Sequence, residues 1–296
     1  MTLPTGATHH PIEQILLARG WRGMDRLARH LPLDYCAQAA RAAWDARPRA
    51  LLTTGFYVSG HPETDGPPGT FFLARGLAHG GATVGFVAEE ETLALLRALA
   101  AALWPAHLPA PQYLPFPIAD SDASRAFSAD LCAAWQPSLV LAVERCGRNA
   151  EGRYLNRRLG DITPYTAQVD ELLDAPGAVT IGVGDGGNEI GMGRLADVLQ
   201  AELEMATPAV TPADYLVAAT VSNWGAYGLL AYLSAHAQQD LLPTNAEAAA
   251  ALRMLADHGA VNGMSGRAEA IVDGFPPEVE AAVLDELRAA RADLTS

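Results

Sequence analysis

The chain has 296 residues, half of them hydrophobic, and a formal net charge of −14. That length supports a large core without disulfides, and so acidic a surface repels nucleic-acid phosphates, so we expect no nucleic-acid partner. The sequence contains no Lys, which excludes a lysine Schiff base and a P-loop lysine.

The first part of the chain is predicted to be helical. Residues 1–20 hold no basic segment followed by an apolar run, which predicts no signal peptide, no membrane span and a cytoplasmic location. Apolar residues at helical spacing predict helices over 12–31 and 35–47. Residues 1–48 are thus an N-terminal helical segment, which could be a cap or lid, a dimer surface or simple packing.

From residue 50 onward, apolar runs alternate with helical patterns. Strands are predicted at 50–58, 82–88, 112–116, 138–143, 178–183 and 215–221. Helices are predicted at 70–78, 89–103, 124–135, 166–174, 194–205 and 224–236, with two or three more after them. This alternation predicts an α/β fold, a mostly parallel sheet with helices on both faces in a three-layer α/β/α arrangement. No linker divides the chain, so we predict one catalytic domain over 1–296.

The first candidate loop follows the strand at 50–58. It presents Glu63, Thr64, Asp65 and Gly66 ahead of two prolines, which rigidify the chain and can start a helix. Ligands of parallel sheets bind beyond the carboxyl ends of the strands, where this loop is expected to lie. Taken alone, however, the loop is better explained as a plain turn in which the Asp caps the next helix.

The second candidate loop, at 144–164, is polar and rich in arginine. Glu144 stands at a strand end and is followed by Arg145, Arg148 and Asn149. Because an arginine fork binds a carboxylate through two hydrogen bonds, the pattern favours an anchor for an acidic substrate. The alternative is a solvated surface loop with an internal salt bridge.

The third candidate loop, at 182–193, is rich in glycine. Residues 182–187 match GxGxxG after a strand, but Asp185 and Glu189 put negative charge where a dinucleotide phosphate would sit, so we reject that interpretation. Glycines let backbone amides approach a ligand while the acids move protons or bind cations. The residues that offer such contacts are Gly184, Gly186, Gly187 and Asn188.

Weaker signals complete the set. Asn223 either points into the same crevice or, equally well, is a helix N-cap, a role that Ser222 could also fill. Asp273 could reach the site, but an Asp-Gly turn explains it more simply. The three cysteines have no CxxC spacing and no HExxH motif occurs, which predicts no zinc site of either kind.

Taken in order, the segments 63–69, 144–149, 182–193, 222–226 and 272–274 resemble the D-glutamate cyclase C-terminal domain family. The resemblance runs from about residue 50 to residue 275, and its first and third segments are long enough to be specific. Cys146 replaces an expected Pro and Asn262 an expected Asp, and neither change removes a candidate acid. The resemblance implies a hydro-lyase that interconverts D-glutamate and 5-oxo-D-proline, a chemistry that requires no cofactor.

Ring closure needs a base, an acid, an oxyanion stabiliser and a carboxylate anchor. We expect Arg145 or Arg148 to be the anchor, and the 184–187 amides with Asn188 to stabilise the oxyanion. Glu144, Asp185 and Glu189 are candidates for acid and base, with Asp65 orienting them. The further substrate-binding candidates are Glu63, Thr64, Gly66, Asn149 and Asn223.

Two other functions fit the same residues. Asp65, Glu144, Asp185 and Glu189 could hold Mg²⁺, Mn²⁺ or Ca²⁺ for a hydrolytic or phosphoryl reaction. Alternatively, the arginines could bind an acidic amino acid in a protein without catalysis. In each case the partner is a small molecule, and whether the chain forms a homo-oligomer stays open.

Overall fold

The computed structural model of the protein describes residues 8–20 and 22–293. The strands are β1 (Arg49–Gly55), β2 (Tyr57–Val58), β3 (His61–Pro62), β4 (Thr83–Ala88), β5 (Gln112–Pro115), β6 (Leu139–Arg145), β7 (Val179–Gly184) and β8 (Tyr215–Ala218). The helices are α1 (Pro11–Leu17), α2 (Met24–Leu27), α3 (Tyr35–Ala46), α4 (Pro67–His79), α5 (Glu90–Leu103), α6 (Ser121–Trp135), α7 (Ala196–Leu203), α8 (Ser222–Ala237), α9 (Asn245–Asp257) and α10 (Pro277–Asp293). None of the helices in these ranges is long and apolar enough to cross a membrane.

Six strands form one sheet in the order β5-β4-β1-β6-β7-β8, and all their pairings are parallel. The chain first builds outward from β1 to β5 and then returns to place β6 on the other side of β1. The order therefore reverses between β1 and β6. In open parallel sheets, the carboxyl ends of the strands at such a reversal form a crevice that binds ligands.

Alternate residues of the central strands face opposite sides of the sheet. Leu52 and Leu141 pack into the larger core, with α3, α4, α5 and α8. Leu51 and Val140 pack into a smaller core with α6 and the 3₁₀ helix Asp170–Asp174. The sheet thus lies between two helical layers, which confirms the predicted three-layer α/β/α fold.

Two predicted helices are wrong. The helix at 12–31, which includes residue 21 outside the described residues, is broken because Gly23 has a left-handed φ of 81° and α2 begins only after it. The helix at 166–174 is replaced by the short 3₁₀ helix Asp170–Asp174, because the Asp170 carboxylate binds Tyr154 and Thr211 in neighbouring loops. Tertiary hydrogen bonds override the local helical pattern in this segment.

The N-terminal helices belong to the same helical layer as the rest of the larger core. Helix α1 packs against α8 and α10, and α3 packs against α8 and β8. Arg22, which lies between α1 and α2 in sequence, enters the candidate site at the carboxyl edge of the sheet.

Candidate functional site

A cavity of about 210 Å³ opens at the carboxyl ends of β1, β6 and β7, next to the point where the strand order reverses. Among the described residues, the acids that line it are Glu63, Glu144, Asp185, Glu189 and Asp273. The arginines that line it are Arg22, Arg157 and Arg158. All five acids are buried, although a carboxylate normally stays in water unless it is paired.

Glu144 lies at the end of β6 in a backbone conformation that residues other than glycine rarely adopt. Its φ is 43°, in the left-handed region, so the surrounding structure holds it there at a cost. The Ser222 hydroxyl donates a hydrogen bond to its carboxylate. Burial raises the pKa of Glu144 well above its usual range, and the charges of Asp185 and Glu189 raise it further.

Asp185, the first residue after β7, contacts an arginine that lies far away in the sequence, near the N-terminus. Arg22 contacts Asp185 and places Nη1 2.8 Å from Oδ2 of Asp273. Burial raises the pKa of Asp185, while the positive charge of Arg22 opposes that rise. Within the described part of the chain, Oδ2 of Asp185 is buried and has no hydrogen-bond partner.

The glycine-rich loop folds back onto β7 instead of opening a helix. A Cβ on Gly191, whose φ is 101°, would lie 2.8 Å from Cα of Gly182, so only glycine permits this approach. The Gly187 N–H donates to the Glu189 carboxylate at 2.7 Å, and α7 does not begin until Ala196. This arrangement confirms the delayed helix and leaves no helix N-terminus at Gly187 to hold a phosphate.

Asp65 and Asn223 cap two helices that both begin beside the acids. The Asp65 carboxylate accepts the N–H groups of Ser222 (3.0 Å) and Asn223 (2.9 Å) at the start of α8. The Asn223 side-chain oxygen accepts the N–H groups of Gly66 (3.1 Å) and Gly69 (2.8 Å) at the start of α4. Helix N-termini carry partial positive charge, so both dipoles favour negative charge in the cluster. Both residues therefore cap a helix, but each caps the helix that follows the other one in sequence, and not the helix directly after itself as expected.

The acids are close enough to affect one another's pKa. One carboxylate oxygen each from Asp65, Glu144 and Asp185 lies within 4.8 Å of the others. Burial and then the charge of Asp273 raise the pKa of Asp65 to about 7, although its backbone hydrogen bonds oppose the shift. The pKa of Glu63 is raised by burial and then by Asp273. Buried carboxylates in contact cannot all ionise, so protonated and ionised acids coexist near neutral pH.

Two arginines predicted to anchor the substrate do not reach the cavity. Arg145 is fully buried on the other side of β6, where its Nη1 and Nη2 each lie 2.8 Å from an oxygen of Glu89. Its remaining bonds go to the carbonyls of Thr54 and Ala167. Arg148 binds Glu171 at the edge of the protein. The prediction for both residues is corrected, because each already has an acid partner.

Several other predicted contacts shape the site without lining its cavity. Thr64 donates its hydroxyl to the Ile271 carbonyl at 2.7 Å, and Asn149 accepts backbone N–H groups within its own turn. The N–H of Gly66 is used by Asp65, at 2.9 Å, and by Asn223, as described above. A Cβ on Gly184 would lie 2.8 Å from the Glu189 carboxylate, so this glycine makes room for an acid. Of the predicted set, Glu63, Glu144, Asp185, Gly186, Asn188 and Glu189 do line the cavity.

Sequence reasoning missed most of the positive charge in the cavity. Arg22 is separated from Asp185 by 163 positions, and no local pattern links them. Arg157 and Arg158 lie in the arginine-rich loop that was selected for this purpose, but further along it. Asp273, first explained as a turn, has a φ of 50° and also lines the cavity.

Two comparisons relate the chain to known proteins. The human protein "D-glutamate cyclase, mitochondrial" is 29% identical to this chain in an alignment that covers 87% of the chain and 47% of that protein. The chain thus spans about half the length of this curated relative. Residues 12–288 match the family described as D-glutamate cyclase-like, C-terminal, and this range contains every strand and every residue that lines the cavity. The chain therefore belongs to the D-glutamate cyclase-like, C-terminal family.

Proposed function

We propose that this protein is a hydro-lyase that interconverts D-glutamate and 5-oxo-D-proline in the cavity at the β1–β6 boundary. Ring closure forms a bond between the amine nitrogen and the side-chain carboxyl carbon, breaks a C–O bond at that carbon, and releases water. The observation that carries the proposal is the buried cluster of five acids, in which Arg22 contacts Asp185. Such a cluster holds a proton donor and a proton acceptor at the same pH.

We assign one proton transfer each to Asp185 and Glu144, the two acids whose contacts differ most. Burial raises the pKa of both acids, but the charge of Arg22 opposes that rise at Asp185, so we assign to Asp185 the removal of the proton from the attacking amine. The main influences on Glu144, burial and neighbouring acids, all favour its protonated form, so Glu144 gives a proton to the departing hydroxyl. In ring opening the two residues exchange roles.

Asn188 is suited to stabilise the oxyanion that forms at the carboxyl carbon. Its Nδ2 donates one hydrogen to the Leu155 carbonyl at 3.0 Å, and an amide nitrogen has a second hydrogen to donate. Asn188 lines the cavity, whereas the Gly187 N–H is already bound to Glu189. The oxyanion therefore depends on the Asn188 side chain more than on the amide of Gly187.

The alternative with direct support is a metal-dependent enzyme. Oxygens of Asp65, Glu144 and Asp185 lie within 4.8 Å of one another, and a divalent cation takes such ligands. However, both Asp65 oxygens already accept N–H groups, and Arg22 brings a positive charge against Asp185. These contacts favour proton binding over metal binding by the acid cluster.

An NMR time course tests the proposal. Purified protein is incubated separately with D-glutamate, L-glutamate and each 5-oxoproline enantiomer, with and without EDTA. We expect ring closure or opening in the D series alone, unchanged by EDTA. Activity that EDTA abolishes and one metal restores would favour the metal-dependent enzyme. Saturable binding without turnover of any compound would favour a non-catalytic binding protein.

We also propose a cytoplasmic location, although the printed name of the human relative places that protein in mitochondria. Fractionation of the native host would decide between the two compartments.

A further inference from the structure

Two neighbouring arginines lie at the mouth of the cavity, and each is held from a different side. Arg157 donates from Nη1 to the carbonyl of Gly186, in the loop after β7, at 2.9 Å. Arg158 donates from Nη2 to the carbonyl of Met264, in the segment after α9. Each bond uses one of the five N–H groups of a guanidinium, so most donors of both side chains stay available.

Neither of these arginines has a carboxylate partner. Among residues 8–20 and 22–293, no carboxylate oxygen lies within 4.0 Å of Arg157 or Arg158, whereas Arg148 and Arg153 on the same loop pair with Glu171 and Asp161. The chain has 34 acids and 20 arginines, so acid partners are plentiful. Two unpaired guanidiniums at the rim of a cavity suit a ligand that brings its own carboxylate.

The turn that bears the two arginines is held in shape before any ligand arrives. The side-chain oxygen of Asn156 accepts the N–H groups of Arg158 (3.1 Å) and Gly160 (2.9 Å). The Asn156 N–H donates to the Gly160 carbonyl at 3.0 Å. A preformed turn lowers the entropy cost of binding, because the backbone that carries the arginines is already ordered.

Charge in the cavity is therefore divided between its two ends. The floor holds the acid cluster with Arg22, and the mouth holds Arg157 and Arg158. An ionised carboxylate is repelled by the floor and attracted by the mouth. A lactam with one carboxylate matches this division, since its uncharged ring amide faces the acids while its carboxylate meets the arginines.

We propose that Arg157 and Arg158 bind the carboxylate that does not react, and thereby restrict the substrates to small amino acids and lactams with a carboxylate beside the reacting nitrogen. This inference rests on the proposed function, which places the reacting carbon at the acids. Both arginines are specificity-determining residues. They take the role of carboxylate anchor that was first expected of Arg145 or Arg148.

The test compares binding of 5-oxo-D-proline with that of its uncharged primary amide, measured by calorimetry or ligand-observed NMR. The variants are Arg157→Met, Arg158→Met and, as a matched control, Arg153→Met, an exposed arginine on the same loop outside the cavity wall. We expect the unaltered protein and the control to prefer the acid. Each test variant should lose roughly 10- to 100-fold in affinity for the acid and little for the amide.

A preference for the acid that survives in both test variants would overturn the inference. The measurement also separates the two proposals, because it needs no turnover. Acid preference that depends on the arginines in a protein without turnover would refute only the proposed reaction. Turnover with an unchanged preference in the variants would refute only the role of the arginines.

Discussion

Two buried groups of acids and arginine lie on either side of the end of β6. On one side, Arg145 and Glu89 form a one-to-one pair with two parallel contacts of 2.8 Å. On the other side, Arg22 contacts both Asp185 and Asp273, inside a wall that contains further acids. We call the first group the closed pair, because each charge has one partner of opposite charge. We call the second the open cluster, because it has more carboxylates than arginines.

The difference separates buried charges that support the fold from those to which we assign the proposed chemistry. The oxygens of Glu89 also accept bonds from the Thr92 hydroxyl (3.0 Å) and the Ala167 N–H (3.2 Å), which completes their coordination. In the cavity, by contrast, Oδ2 of Asp185 has no hydrogen-bond partner within the described part of the chain. The Glu89 oxygens are therefore occupied within the fold, whereas a crowded acid cluster exchanges protons readily.

The largest effect is expected from the open cluster. Glu144→Gln and Asp185→Asn should each lower kcat/KM by roughly 10²- to 10⁴-fold, because each removes one proton transfer. The melting temperature of Glu144→Gln should stay equal or rise, since the change removes a buried carboxylate that its neighbours repel. That of Asp185→Asn should fall, because this change also removes the ion pair with Arg22.

The measurement combines steady-state kinetics with thermal melts, and the exposed Glu90→Gln serves as a matched control. Activity within tenfold of the unaltered protein in both cavity variants would show that neither acid moves a proton.

The closed pair should respond in the opposite way. Arg145→Met leaves Glu89 buried without its partner and should lower the free energy of unfolding by about 3–5 kcal/mol. The matched change Arg148→Met removes a partly exposed pair with Glu171 and should cost about 1 kcal/mol or less.

Urea denaturation measures both variants. The double variant Arg145→Met/Glu89→Leu should recover most of the lost stability, because it removes both charges together. Equal stability of the two single variants would mean that the pair does not support the fold.

Sequence patterns predicted the layers and most of the acids, but they failed at contacts between distant segments. Glu144, Asp185 and Glu189 were found because parallel strands bring their carboxyl ends to one edge, which the strand pattern alone implies. Arg145 was misplaced because adjacent strand residues point to opposite faces, so Glu144 enters the cavity and its neighbour leaves it. Arg22 could not be found, since its position depends on how α1 packs against α8.

Glu280 offers an intermediate case, a buried acid that is paired with a neutral group. Its Oε1 accepts the hydroxyl of Tyr227 at 2.7 Å, and burial raises the pKa of Glu280 to about 7. The folded protein thus binds this proton more tightly than the unfolded chain does. Stability from this group is complete at low pH and falls as pH rises from about 4.5 through about 7.

Glu280→Gln should therefore gain up to about 3 kcal/mol relative to the unaltered protein at pH 8, with little difference at pH 5. Thermal melts of both proteins across that range measure the effect. An identical pH dependence in the two proteins would mean that Glu280 is ionised in the fold, as an acid paired with arginine would be.

The smallest effect concerns how closely the open cluster is packed. Gly66 has a φ of 96°, and a Cβ there would lie 2.4 Å from Oγ1 of Thr54 and 2.8 Å from Cβ of Glu144. Gly66→Ala should lower stability by about 1–3 kcal/mol and displace Glu144, so that kcat falls as well.

Gly152→Ala is the matched control, because its φ is 75° but a Cβ there meets no described atom within 4 Å. A loss of kcat in the Gly66 variant alone would show that the site depends on the exact position of Glu144. Equal losses of stability and kcat in both variants would instead attribute the losses to backbone strain. The contacts around Glu144 would then contribute nothing beyond that strain.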